Sequence, residues 1–206
     1  GGLKNPAWFL RKWQVSPTPQ PWVTSPQPPS LNEAKVTELI AQLREQAAVF
    51  QATNRSPPFY SMDLGEHFGP RYGVLSYALG TVESDRPRSV NVLAGSDDGL
   101  RVWLNGQLLL NRPGVQVIPT DSLTSRATLI QGTNTFLVEI AQGPGGWGFA
   151  LRLTDTDGLP LMPDDAGRLP QVTVSPQPSS PPATKLPAGL NTPAAKQNSL
   201  ASPEKN

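Results

Sequence analysis

Proline decides what this chain can fold into. It supplies 24 of the 206 residues, more than twice the ordinary share of about 5%. Each proline fixes φ and removes a backbone donor, so helix interiors and central strands must fall between prolines. Their placement divides the chain into three parts. Residues 1–30 hold seven prolines, Trp8, Trp13 and Trp22, and three basic side chains with no acid. Residues 31–162 hold nearly all the β-patterned sequence. Residues 163–206 hold nine prolines and no aromatic residue, too little apolar surface to offset the entropy of ordering. The expected organisation is a Pro/Trp-rich amino-terminal arm over 1–30, a folded domain over 31–162, and a Pro/Ser-rich tail over 163–206.

Composition excludes several function classes. The 17 basic and 16 acidic groups leave a net charge of +1 with no basic block, so a nucleic-acid groove is not expected. The absence of cysteine removes disulfides, thiolate metal sites and cysteine nucleophiles together. The longest apolar runs are about four residues, against roughly 20 for a membrane span. The start at Gly1-Gly2 without Met is read as a processed or trimmed chain.

One helix is legible. Ser30 stands three residues before Glu33, the spacing of a capping box. Val36, Leu39, Ile40, Leu43, Ala47 and Phe50 then form one apolar stripe, which predicts a helix laid on a sheet. Asn54 and Pro57-Pro58 are expected to end it. From Tyr72 the period changes to two. Strands are predicted over 72–82, 90–94, 100–104, 107–111, 126–130, 136–140 and 149–153. Asn105-Gly106 is a hairpin signal, because both turn positions need positive φ. Seven short strands without intervening helices describe an all-β antiparallel sandwich, not a parallel α/β sheet. The alternation places Val92, Leu100, Val102, Leu104, Phe136, Val138, Ile140, Phe149, Leu151 and Leu153 in the core.

Three motifs in order carry a family resemblance. Ser96-Asp97-Asp98-Gly99-Leu100-Arg101-Val102-Trp103-Leu104-Asn105-Gly106 resembles the acidic hairpin of protective-antigen-type β-sandwich domains. It is also similar to the galactose-binding-like jelly rolls found beside enzymes in exported bacterial proteins. Leu129 to Val138 and Gly145-Gly146-Trp147-Gly148-Phe149 with Leu151-Arg152-Leu153 resemble the family's strand–turn–strand and closing strand. The resemblance covers about residues 60–162. It implies a jelly-roll-like sandwich, with one amphipathic helix and extended arms added here. It also implies export, to the periplasm or the cell exterior, or membrane association through partners.

Candidate site residues each have a structural alternative. In sugar-binding members of such families paired aspartates hold calcium, and Asp97 and Asp98 are the matching positions. Calcium wants six to eight oxygens, whereas Asp in a tight turn also caps its own backbone. Asp155-Thr156-Asp157-Gly158 is expected to be a turn. Trp103 and Trp147 are candidate platforms for stacking a sugar, or core aromatics. His67 beside Glu66 lacks any nucleophile motif, so no catalytic residue is assigned and an enzyme is not expected. Trp8, Phe9, Arg11, Trp13 and Trp22 mix aromatic and basic groups. Such a mixture suits an anchor on a partner protein or a membrane surface, or packing on the chain's own sandwich. The reading is a non-catalytic structural or accessory subunit of a larger envelope or membrane-associated assembly. The alternative is a carbohydrate-binding module assisted by calcium. Partners are then other protein subunits, a membrane surface under the amino-terminal arm, or a glycan.

Overall fold

The computed structural model of the chain describes residues 9–22, 28–46, 48–51 and 62–171. The chain divides into two compact units, Gly1–Gln171 and Val172–Asn206. The described residues of the first unit form an antiparallel β-sandwich. Its elements are β1 (Lys12–Val15), β2 (Gln20–Pro21), α1 (Glu33–Gln46), β3 (Ala48–Gln51), β4 (Met62–Asp63), α2 (Leu64–Phe68), β5 (Val74–Ser84) and β6 (Arg88–Asp97). They continue as β7 (Leu100–Leu104), β8 (Gln107–Arg112), β9 (Ile118–Leu129), β10 (Gly132–Gln142), β11 (Gly148–Thr154) and β12 (Pro160–Leu161).

One sheet runs β3-β1-β5-β10-β7-β8, with β2 also on β5; the other runs β12-β11-β6-β9, with β4 also on β11. From β5 to β11 every link except the β7–β8 hairpin crosses between the sheets. That hairpin turns on Asn105 at φ 50 and Gly106 at φ 86, as a two-residue turn matched to strand twist requires. All ten residues assigned to the core by alternation are buried. They form one apolar cluster between the sheets.

Residues 9–22 of the expected amino-terminal arm are part of this fold. Leu10 N–H donates to Leu151 O on one sheet. Four residues later, at Gln14, β1 pairs with β5 on the other sheet. Trp13 is buried, edge-on to Phe149 at 4.9 Å, with its Nε1–H donated to Leu10 O at 3.0 Å. Its ring lies on Gly80, where a Cβ would stand 2.7 Å from Cζ3. The boundary expected at residue 162 also moves. Arg168 bridges to Glu83, and Leu169 is buried in the core, so an apolar side chain outside the predicted domain completes it.

Helix α1 lies on the outer face of the larger sheet, as its stripe predicts. Val36, Leu39 and Leu43 pack on Tyr77, Leu79, Trp103 and Leu137. Its cap differs from the expectation. Asn32, not Ser30, accepts from Lys35 N–H at 2.8 Å, so the helix starts at Glu33. It ends at Gln46, before the predicted Phe50. Phe50 instead pairs with Trp13 across β1 and β3. The free edge of β1 offers backbone partners to a segment that contains Val49 and Phe50, both good strand formers.

Candidate functional site

The larger sheet carries a polar row under α1 and the segment before it. Arg101, Glu139 and Tyr77 stand directly opposite one another on β7, β10 and β5. Arg101 Nη1 donates to Glu139 Oε1 at 2.8 Å, and the Tyr77 hydroxyl donates to Glu139 Oε2 at 3.1 Å. Arg101 also donates to the carbonyls of Pro28 and Pro29 and to Asn111 Oδ1. Burial raises the Glu139 pKa, and the Arg101 charge opposes that rise. Burial likewise raises Tyr77, helped by the Glu139 charge. All three groups are satisfied and covered, so the row fastens the 28–32 segment and offers no open site.

The other candidate is the loop end where β6–β7, β8–β9 and β10–β11 meet. Gly99 N–H donates to Gly114 O at 2.9 Å, and Ala141 N–H donates to Gly99 O at 2.9 Å. Asp98 Oδ2 accepts from Gly143 N–H at 2.6 Å, while Ser96 Oγ donates to Asp98 O. The Asp97–Asp98 peptide bond is cis. A Cβ on Gly99 would lie 2.3 Å from Gly114 O, and one on Gly143 would lie 2.5 Å from Val115 Cγ1. These glycines let three loops touch. Burial raises the Asp98 pKa; the Gly143 N–H pulls it back, and the Asp97 charge and hydrogen bond push it up again.

The donor set does not fit calcium as it stands. One of the two carboxylates is buried and already bound to a backbone N–H. Among the described residues no group of three His, Cys, Asp or Glu side chains gathers to hold a metal. Asp98 therefore ties the β6–β7 turn to the β10–β11 loop, where its carboxylate accepts the Gly143 N–H. Asp155, by contrast, caps its own turn, accepting from Asp157 and Leu159 N–H.

The predicted aromatic platforms are corrected by their burial. Trp103 is sealed under α1, and Trp147 lies against Phe68 with ring centroids 5.4 Å apart. Neither presents a face to a ligand. Phe9, Trp13 and Trp22 are buried too, and Trp22 packs on Leu75 and Ala141. As partner anchors they are overturned, because their apolar surface is already used within the fold. Arg11 is exposed, and Trp8 lies outside the described residues. Sequence reasoning missed the exposed side chains at the loop end, Tyr72 at 66%, Val115 at 55% and Val117 at 63%. It also missed the Arg101 row. Arg101 and Trp103 share one strand face, and a tryptophan on the face opposite Leu100, Val102 and Leu104 was the available signal that this face is covered. No helix among the described residues is long and apolar enough to cross a membrane.

No protein-family model matches the chain, and no curated protein matches it. Among solved structures it is similar to an anti-sigma factor domain-containing protein, with 22% identity, 49% of this chain and 37% of that chain covered, and a TM-score of 0.38. It is similar to a β-glucosidase from Kluyveromyces marxianus solved with glucose, with 14% identity, 70% and 16% covered, and a TM-score of 0.40. It is also similar to the PA14 domain of the MpAFP antifreeze protein, with 17% identity, 77% and 86% covered, and a TM-score of 0.40. The chain thus spans well under half of the first two proteins. Its assignment as a β-sandwich stands on its own strand pairing.

Proposed function

We propose that the chain is a non-catalytic accessory subunit of a larger exported, envelope-associated assembly. In this reading the sandwich through Gln171 is the scaffold, and the proline-rich sequence from Val172 onward contacts a partner protein. The observation that supports it is the anchored root of that segment. Leu169 is buried, Leu169 N–H donates to Glu83 O, and Arg88 Nη1 donates to Pro170 O at 3.0 Å. The sequence beyond holds seven prolines in 35 residues and no aromatic. Proline fixes φ in the free chain, which lowers the cost of ordering such a segment on a partner. The motif resemblance to protective-antigen-type and galactose-binding-like domains supports an accessory role beside other proteins. Ending the chain at Gln171 tests this. The expected result is an unchanged melting temperature with lost co-purification of native partners; full retention of those partners contradicts it.

A second reading, glycan binding at the loop end, is favoured by one observation. Trp147 Nε1 and Gln142 Oε1 are buried beside the β10–β11 loop with no partner among the described residues, and exposed Tyr72 stands at the same end. Calcium-assisted binding belongs to this reading. Titration of glycans with and without calcium tests it, and no heat in either series removes it.

A further inference from the structure

The turn from β7 to β8 holds the chain's single Asn-Gly step, Asn105-Gly106. Asparagine before glycine is prone to spontaneous ring closure, because glycine has no Cβ to shield its backbone nitrogen. Crowding does not guard this step. Asn105 is exposed, and a Cβ on Gly106 would meet nothing within 4 Å. What holds it is a tether to β10. Asn105 Oδ1 accepts from Thr135 N–H at 2.8 Å, and Asn105 Nδ2 donates to Asn134 Oδ1 at 3.0 Å. Asn105 N–H also donates to Thr135 O at 2.8 Å.

Asn134 sets the polarity of that tether. It is buried. Its Oδ1 accepts from Ile130 N–H at 2.9 Å, and its Nδ2 donates to Ile130 O at 2.9 Å and to Gly132 O at 3.1 Å. Reversing this amide would break all three bonds, so the atom that faces Asn105 is an oxygen. Position 105 must therefore donate to Asn134 and accept from Thr135. A side-chain amide does both; an ionised carboxylate does only the second.

We infer that Asn105 is a deamidation site guarded by the fold. It is closed while the hairpin is tied to β10, opens when the two separate, and damages the native state once converted. In the reaction the Gly106 nitrogen bonds to Asn105 Cγ and the Cγ–Nδ2 bond breaks. Nδ2 leaves as ammonia, carrying the proton that Gly106 N–H gives up. Water then opens the cyclic imide at either carbonyl, to aspartate or isoaspartate. Aspartate sets an oxygen against Asn134 Oδ1 where a donor stood, so two acceptors face each other in a site closed to rearrangement. Isoaspartate also lengthens the main chain inside a two-residue turn, whose length fixes the register of β7 on β8. Modification of the opened chain is thus a one-way exit from the native state.

The full chain, incubated in mildly alkaline buffer and in the same buffer with denaturing urea, tests this. Fragment mass spectrometry then follows the amide-to-acid mass change at position 105. The expected result is steady conversion in urea and conversion slower by about tenfold or more in buffer, because the native chain must first open locally. Asn105→Asp should melt below the wild type at pH 7, and its deficit should shrink toward pH 4, where a protonated carboxyl again donates to Asn134 Oδ1. Equal conversion rates in buffer and urea, an Asn105→Asp melt equal to the wild type at pH 7, or a deficit that does not shrink with acid overturns the inference.

Discussion

The two sheets share one strand grammar but are finished differently. The seven-stranded sheet is covered on both faces, inside by the other sheet and outside by α1, Trp22 and the segment before the helix. The five-stranded sheet has its apolar face inward, and its outward positions are mostly polar, including Asn91, Arg126, Arg152 and Thr154. Even their ion pairs differ. Arg101–Glu139 lies beneath a chain segment and is tied to two proline carbonyls. Arg152–Asp121, with side chains 11% and 9% exposed, holds the irregular part of β9 at 2.8–3.0 Å with no chain segment shown above it among the described residues. Covering a sheet twice turns outward positions into a second core, so that sheet should tolerate substitution on neither face.

The largest expected effect follows from that second core. Trp103 sits on the outward face, yet Trp103→Ala should cost about 3–5 kcal/mol, the range for removing a buried large aromatic. A thermal melt shifted no more than for a surface substitution would mean that α1 does not seal this face.

Much of the larger sheet's architecture was legible because alternation and helix periodicity are local signals. The 100–104 strand, the Asn105-Gly106 turn and the inward side chains follow from residue order alone. What was not legible depends on long-range partners. Lys12–Val15 is a strand because β5 and β3 offer it backbone on both sides. Ile118–Ser125 was missed because Thr, Ser and Asp carry little apolar alternation, and its pairing with β6 supplies the order instead. At the loop end the sequence named Asp97 and Asp98 correctly as neighbours of a turn. It could not show that Gly143, 45 residues away, uses the Asp98 carboxylate.

The ion pairs sharpen the comparison at the next level. Glu139→Ala leaves Arg101 buried without its carboxylate and should cost about 3–5 kcal/mol. Arg152→Ala removes charged hydrogen bonds nearer solvent and should cost about 1.5–3 kcal/mol. Chemical denaturation of both variants checks the order, and equal losses would erase the distinction between a covered and an open face.

The smallest effect is one of pH. Burial raises the Asp98 pKa above its ordinary value of 3.8. The folded state therefore takes up this proton more readily than the unfolded one. Asp98 contributes stability that is fully present below its unfolded pKa and lost as pH rises through its folded pKa. Asp98→Asn removes the linkage. Melts at pH 7 and pH 4 should show the wild type gaining on the variant toward pH 4; a gain toward pH 7 would mean that Asp98 is held ionised instead.

The central claim is that the amino-terminal segment is structural, sealing the larger sheet with β1, Trp13, Trp22 and α1. The measurement is a pair of thermal melts, of residues 1–171 and of residues 62–171. The account predicts a cooperative transition for 1–171 matching the full chain, and none for 62–171, whose outer sheet face would lose its cover and whose core would lose Trp13. A cooperative transition of 62–171 within a few degrees of the longer chain would contradict it and return residues 1–61 to the status of an arm.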